Sequence, residues 1–197
     1  MPDAGPSTTF HFGFRGGPEI SRARIRFEDG REPELDLVLG LHFGFVVGWD
    51  AGPFGIRSGL NYVNAGALFN GTDFLARDEF NVSFITLPID FRLRPVRRGA
   101  IQPYIFAGPE FRYSLDLEER PISLTHDLKL LDATFAAGVG ISMRLPFLPI
   151  RFSPEIRYVN DLTGIYNGEM QTDDGGIVET AESVKANALR VGVLLGI

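Results

Sequence analysis

Between Leu35 and Asp50 every odd position from Leu37 to Trp49 is apolar: Leu37, Leu39, Leu41, Phe43, Phe45, Val47 and Trp49. The even positions are Val38, Gly40, His42, Gly44, Val46 and Gly48, mostly small apart from one histidine. Apolar residues at period two mark a β-strand with one greasy face, because successive side chains point to opposite sides. A half-buried soluble strand needs only about 4–8 such residues. Crossing a bilayer at a tilt takes about 9–11, and this alternation is long enough. Repeated glycine on the second face suits the inner wall of a narrow barrel better than the core of a sandwich.

The same alternation recurs along the chain. Thr8 to Arg15 sets Phe10, Phe12 and Phe14 against His11, Gly13 and Arg15. Gly16 to Glu34 reads as a charged loop that has room for a hairpin extension at Ile20 to Phe27. After the Leu35 strand comes a turn, Asp50-Ala51-Gly52-Pro53, and then a strand from Phe54 to Tyr62. Phe80 to Arg94 alternates cleanly in its second half only. Val82 and Phe84 are out of phase with Leu87, Ile89, Phe91 and Leu93, which predicts a bulge near Phe84–Ile85. Further strands are expected at Ile101 to Leu115, Ala133 to Leu145, Ile150 to Tyr158 and Ala188 to Ile197.

That makes eight strands, and their connections alternate in length. Links after the second, fourth and sixth are short. The others, at about 16–34, 64–79, 116–129 and 160–187, are long and polar. In an antiparallel up-and-down meander the two sets fall on opposite ends, as in outer-membrane barrels, whose short turns are periplasmic. The expected fold is therefore all-β: an eight-stranded antiparallel up-and-down transmembrane β-barrel, one domain over 1–197, with 1–7 a periplasmic N-terminal segment. Tyr62, Tyr113 and Tyr158 each lie eight residues beyond the first outward residue of their strand, Phe54, Ile105 and Ile150. Eight residues at a tilt near 40° rise about 20 Å, close to the spacing between aromatic girdles. Trp49 and Phe54 would belong to the opposite ring.

Composition bounds this picture without deciding it. Hydrophobic residues at 44% and 197 residues in all are compatible with a soluble domain, but a polar lumen dilutes the average of a membrane barrel in the same way. No run approaches the roughly 18 apolar residues of a membrane helix. A formal charge of −6 gives no reason to expect nucleic acid. Without cysteine there is neither a disulfide framework nor a thiolate metal site. The opening Met-Pro-Asp-Ala-Gly-Pro-Ser has neither the basic head nor the apolar segment of a signal peptide. An exported barrel needs one, so either the numbering starts after a cleavage site, behind an added Met, or export does not occur.

Ser58-Gly59-Leu60-Asn61-Tyr62, Leu87-Pro88-Ile89, Pro103-Tyr104-Ile105-Phe106-Ala107-Gly108-Pro109, Ala137-Gly138-Val139-Gly140 and Arg157-Tyr158 with Leu162-Thr163-Gly164-Ile165 run across nearly the whole chain. Together they resemble the PorT-like family of small bacterial outer-membrane β-barrels. The resemblance implies an eight-stranded barrel in the cell envelope and little chemistry. The end of the chain also resembles the assembly signal of such barrels, with Gly192, Leu195 and a terminal Ile197 where an aromatic is usual.

The inward ionisable set is Arg57, Asp90, Arg92, Glu110, Arg112, Arg151, Glu155, Arg157 and Arg190. An eight-stranded barrel is only wide enough for side chains to fill it, and charges of both signs inside should pair. The expectation is a salt-bridged plug, in which arginines outnumber carboxylates; a gated pore or proton path is the sharper alternative. An arginine excess also disfavours acid–base catalysis by the acids. His11 and His42 both point inward on adjacent strands and could lie near each other, yet two histidines without a third ligand make a poor metal site. No metal or other cofactor is expected. His126, with Ser123 and Asp127 beside it, is a weak candidate for a hydrolytic group. Asp173-Asp174-Gly175-Gly176 lacks the spacing of a calcium loop.

Three functions follow from these expectations. The first is a non-enzymatic, porin-like outer-membrane barrel, acting as structural anchor or adhesion element. Its partners would be membrane lipid and other envelope proteins met through the outward loops. The second is a soluble lipocalin-like barrel holding a small apolar ligand, which requires bulky residues inside and charges outside. The third is a lipid A-modifying hydrolase.

Overall fold

The computed structural model describes residues 8–27, 37–68, 79–96, 99–115, 131–145, 150–163, 166–171 and 177–197. Among the described residues nine strands carry the fold: β1 (Thr8–Phe27), β2 (Val38–Ala51), β3 (Phe54–Leu68), β4 (Glu79–Leu93), β5 (Ile101–Ser114), β6 (Leu131–Arg144), β7 (Arg151–Asp161), β8 (Tyr166–Gln171) and β9 (Ile177–Gly196). All pair antiparallel, each of β1 to β7 with its neighbour in sequence, and β9 pairs with both β7 and β1. That last pairing closes eight strands into a barrel and leaves it no free edge. The ninth strand, β8, pairs only along the first half of β9, from Tyr166↔Val184 to Gln171↔Ile177.

Short connections gather at one end. Ala51 pairs with Phe54, so β2 and β3 are joined by Gly52 and Pro53 alone. Gly52 takes a φ of 64°, the left-handed first position that a two-residue hairpin of this kind reserves for glycine. Thr8 and Ile197 lie at the same end, where the Phe12 and Ile197 backbones exchange hydrogen bonds.

Burial separates the two faces of the wall cleanly. On β2 the even positions from Val38 to Asp50 face in, while Leu39, Leu41, Phe43, Phe45 and Trp49 are exposed. Phe10, Phe54, Phe91, Val139, Ile156 and Leu195 are exposed in the same way on other strands. A continuous apolar belt of this extent is far beyond the few hundred Å² that a water-soluble monomer tolerates. Hydrocarbon is the solvent that removes the cost. The soluble-barrel alternative required the reverse orientation, but Phe43 is 60% exposed and Arg157 only 3%.

Three local expectations are corrected. The first strand does not stop at Arg15 but runs to Phe27, and the last begins at Ile177, because the two continue to pair beyond Ser21↔Ala188. The segment 160–187 is thus partly strand rather than loop. No bulge occurs near Phe84–Ile85: Val63↔Phe84 keeps the register of Phe54↔Leu93, and Phe84↔Ser114 that of Leu93↔Ile105. Phe84 simply faces inward, 4% exposed, with the Arg112 guanidinium 5.5 Å from its ring centre. An apolar side chain had another place to go, under a cation.

Candidate functional site: the charged lumen

Among the described residues, seven arginines are buried in the barrel: Arg15, Arg57, Arg92, Arg94, Arg112, Arg157 and Arg190. Seven carboxylates are buried with them: Glu19, Asp50, Asp90, Glu110, Asp132, Glu155 and Asp161. Alternation places them, since each occupies an inward position of its strand, except Arg94, which continues the inward parity of β4 one residue past its end. The expected excess of arginine is corrected to an even balance. Glu19, Asp50, Asp132 and Asp161 sit where sequence reading had placed a loop, a turn or a strand end.

The charges form three tiers along the barrel axis. In the central tier they make one unbroken chain of alternating sign. The Arg190 Nε donates to Glu19, and Arg190 Nη1 donates to both Glu110 oxygens at 2.7 and 2.9 Å. Glu110 also accepts from Arg157 Nη1 at 3.3 Å, and Arg157 Nη2 donates to Asp90. Asp90 accepts Nε and Nη2 of Arg57 at 3.1 and 2.9 Å, and Arg57 reaches across to Glu155. Glu155 Oε1 accepts a hydrogen bond from the Tyr104 hydroxyl at 2.6 Å. The chain links β1, β9, β5, β7, β4 and β3, so side chains brace the barrel across its width as hydrogen bonds do around it.

Aromatic rings floor this tier. The guanidiniums of Arg57 and Arg157 both lie 4.8 Å from the Phe106 ring centre. The inward glycines make space for such rings. A Cβ at Gly138 would strike the Phe106 ring, and one at Gly140 would come within 2.5 Å of the Tyr104 ring. Arg15 completes the tier, donating to Asn61 Oδ1 at 3.0 Å and lying 3.8 Å from Glu155. A small void lined by Arg15, His42, Asn61, Glu155, Arg157, Arg190 and Gly192 is of water size rather than substrate size.

Toward the short turns, Asp50 accepts from Arg92 and from Arg94 Nη2, the latter at 2.9 Å. His11 Nδ1 is 3.6 Å from the same carboxylate. Toward the long loops, Arg112 Nε donates to Asp132 at 2.9 Å, and its Nη2 pairs with Asp161 at 2.9 Å. Thr163 caps this tier, its hydroxyl bonded to Asp132 and its backbone NH donating to Asp161 at 3.2 Å.

Of the nine predicted lumen charges, eight are buried in these tiers. Arg151 is not: it is half-buried at the short-turn end of β7, opposite Arg144, with no acid in ion-pair reach among the described residues. His11 and His42 do not meet. They face Gly48 and Gly17 respectively, six residues apart along β2, which is about 20 Å of strand. Among the described residues no three His, Asp or Glu side chains are disposed to hold a metal ion. Ser123, His126 and Asp127 lie outside the described residues, as do Asp173 to Gly176.

The predicted girdle residues Trp49, Phe54, Tyr113 and Tyr158 are exposed on the outer wall. Tyr62 is less so, its ring 5.2 Å from Phe43 and its hydroxyl 2.9 Å from Ser83 Oγ. Of the terminal triplet, Leu195 and Ile197 are exposed outward, whereas Gly192 faces inward against His42.

No curated protein matches the chain. Solved structures that match the chain include two of the same fold. OprG from Pseudomonas aeruginosa, 11% identical, superposes with a TM-score of 0.58 over 98% of each chain. Neisserial surface protein A, 12% identical, gives 0.52 over 96% of this chain and 98% of its own. The profile of one family, described as an outer membrane protein beta-barrel domain, matches residues 4–167. An apolar belt, a closed eight-stranded wall, a neutral charged interior and that match agree: the chain belongs to the outer membrane β-barrel domain family, and its place is the bacterial outer membrane.

Proposed function

We propose that this barrel is a non-enzymatic structural anchor or adhesion element, acting on envelope partners through its long-loop end, and that it falls within the PorT-like group of its family. The observation that carries the reading is the ion-paired chain from Glu19 to Glu155. Its members pair with one another across the lumen, and the void beside them is of water size. Every carboxylate in that chain is held by at least one arginine, which disfavours its use as a general base. The PorT-like assignment draws on the Pro103 to Pro109 and Arg157-Tyr158 motifs. Residues 1–197 are taken as one domain, with 1–7 on the periplasmic side.

Two measurements test this. In planar bilayers the purified barrel is expected to give no steady current above that of the bare membrane; a stable open conductance would overturn the plugged reading. In cells, lipid A is expected to keep its mass on expression of the protein, and a shifted species would make the barrel an enzyme. Co-purification from native membrane in mild detergent then identifies the envelope partner.

A further inference from the structure

Charge is balanced in the middle of the barrel and unbalanced at its ends. The central tier sets Arg15, Arg57, Arg157 and Arg190 against Glu19, Asp90, Glu110 and Glu155. At the long-loop end Arg112 answers two acids, Asp132 and Asp161. At the short-turn end Arg92 and Arg94 share Asp50, and two further arginines stand beyond them. Arg144 and Arg151 continue the inward parity of Ser142 and Ser153 at the ends of β6 and β7, directly opposite each other in the ladder. In sequence the short links 50–54, 94–100 and 144–151 hold five arginines against Asp50 alone.

Like charges directly across a ladder are destabilising. The charged groups that act on Arg151 are Arg144, Arg94 and Asp50, so two of the three repel it. Arg144 is exposed and Arg151 half-buried, and among the described residues neither side chain has a hydrogen-bond or ion-pair partner. All seven buried arginines, by contrast, hold a carboxylate. One row deeper the same register sets Ser142 against Ser153. Both serines are buried, 7% and 4% exposed, and neither hydroxyl has a partner among the described residues. The buried Nε donors of Arg92 and Arg94 also lack an acceptor. This mouth holds donors in excess.

We infer that Arg144, Arg151, Ser142 and Ser153 form an anion site at the short-turn mouth of the barrel, and that it takes a phosphate group from the periplasmic side. Strand spacing sets the two arginines about 5 Å apart across the ladder and the serines roughly 7 Å deeper, within reach of one small anion under flexible guanidiniums. Two guanidinium forks and two hydroxyls offer about six donors, more than the roughly four acceptor sites of a carboxylate can take. The planar fork also matches phosphate oxygens two at a time. Arg94 adds to the attracting field, since Asp50 is divided between it and Arg92. Two sources share this chemistry: free phosphate in the periplasm, and the headgroup of an inner-leaflet phospholipid, which lies at the level of the short turns.

The test uses the full chain in dodecyl maltoside, a detergent without phosphate. Equilibrium dialysis against radiolabelled inorganic phosphate is expected to show saturable binding that weakens as salt rises. R144Q/R151Q is expected to lose about tenfold or more in affinity, and S142A/S153A several-fold, with the heat-modifiable gel shift of the folded barrel unchanged. Should the arginine variant not fold, R144Q alone, at an exposed side chain, is expected to lose several-fold. A second arm adds phosphatidylglycerol to the micelles and counts retained lipid by native mass spectrometry. Retention that displaces phosphate and is lost in the same variants assigns the site to a lipid headgroup. Phosphate binding that the lipid does not displace assigns it to the soluble anion. Saturable binding of neither, or binding that the arginine variants keep, would overturn the inference.

Discussion

The two faces of β3 treat the same chemistry with opposite sign. On the inner face Arg57 is 1% exposed and held between two carboxylates. On the outer face Phe54, Ile56 and Leu60 are exposed to the surroundings, with the small hydroxyl of Ser58 the one polar group among them. A guanidinium is stable in the first setting because Asp90 and Glu155 replace the water it gave up. In the second there is neither water nor carboxylate. What makes a position tolerate charge is therefore the number of opposite charges that the barrel's curvature brings to it, not its depth in the membrane. The central tier, with four arginines and four carboxylates, is the extreme case; the short-turn tier, where Asp50 serves both Arg92 and Arg94, is the milder one.

The largest effect expected is at Arg57. Arg57→Met leaves Asp90 and Glu155 facing each other with one partner fewer apiece, and breaking a buried pair costs about 3–5 kcal/mol. Urea unfolding in detergent micelles, followed by the single Trp49, reads this. A loss below about 1 kcal/mol would mean that the lumen is wet enough to screen the chain. Next comes Phe45→Arg on the outer face of β2, in the middle of the strand, where a lipid-facing arginine costs about 2–4 kcal/mol. If that variant were as stable as wild type in vesicles, the outer wall would not face hydrocarbon.

Arg92→Met is expected to cost less than Arg57→Met, about 1.5–3 kcal/mol, because Asp50 keeps Arg94. Equal losses at the two sites would erase the distinction between tiers. Gly138→Ala sharpens the picture from the packing side. Its Cβ meets the Phe106 ring and the Ile156 carbonyl, so overpacking should cost about 1–3 kcal/mol; a neutral result would show that both the Phe106 ring and the β7 backbone at Ile156 are free to yield. The smallest effect is expected for Leu60→Ile, within about 0.5 kcal/mol, since one branched aliphatic replaces another against lipid.

Much of this was readable in the alternation of residues. Phe43 against Gly44 and Phe111 against Arg112 state which side of the wall each occupies, and the spacing of short and long links states the meander. The misjudged positions share a cause. An apolar Phe84 out of phase with Leu87 to Leu93 predicts a bulge, but a ring can serve the lumen in unbroken register when a guanidinium lies above it. Glu19 and Asp161 were read as loop residues because charge near a strand end looks the same whether it is solvated or paired. Arg151 was read as paired because its parity is inward, although its strand has there run out to the rim.

Period-two patterning, then, determined the strand class, the facing of most side chains and the membrane as solvent, because one side chain in two must satisfy each environment. Only the closed tertiary structure decided which charge meets which. Arg190 and Glu19 are 171 residues apart in sequence, and nothing local links them. They are partners because β9 returns to β1, and a wall that closes on itself converts two distant inward residues into neighbours across a lumen too narrow to leave either unpaired.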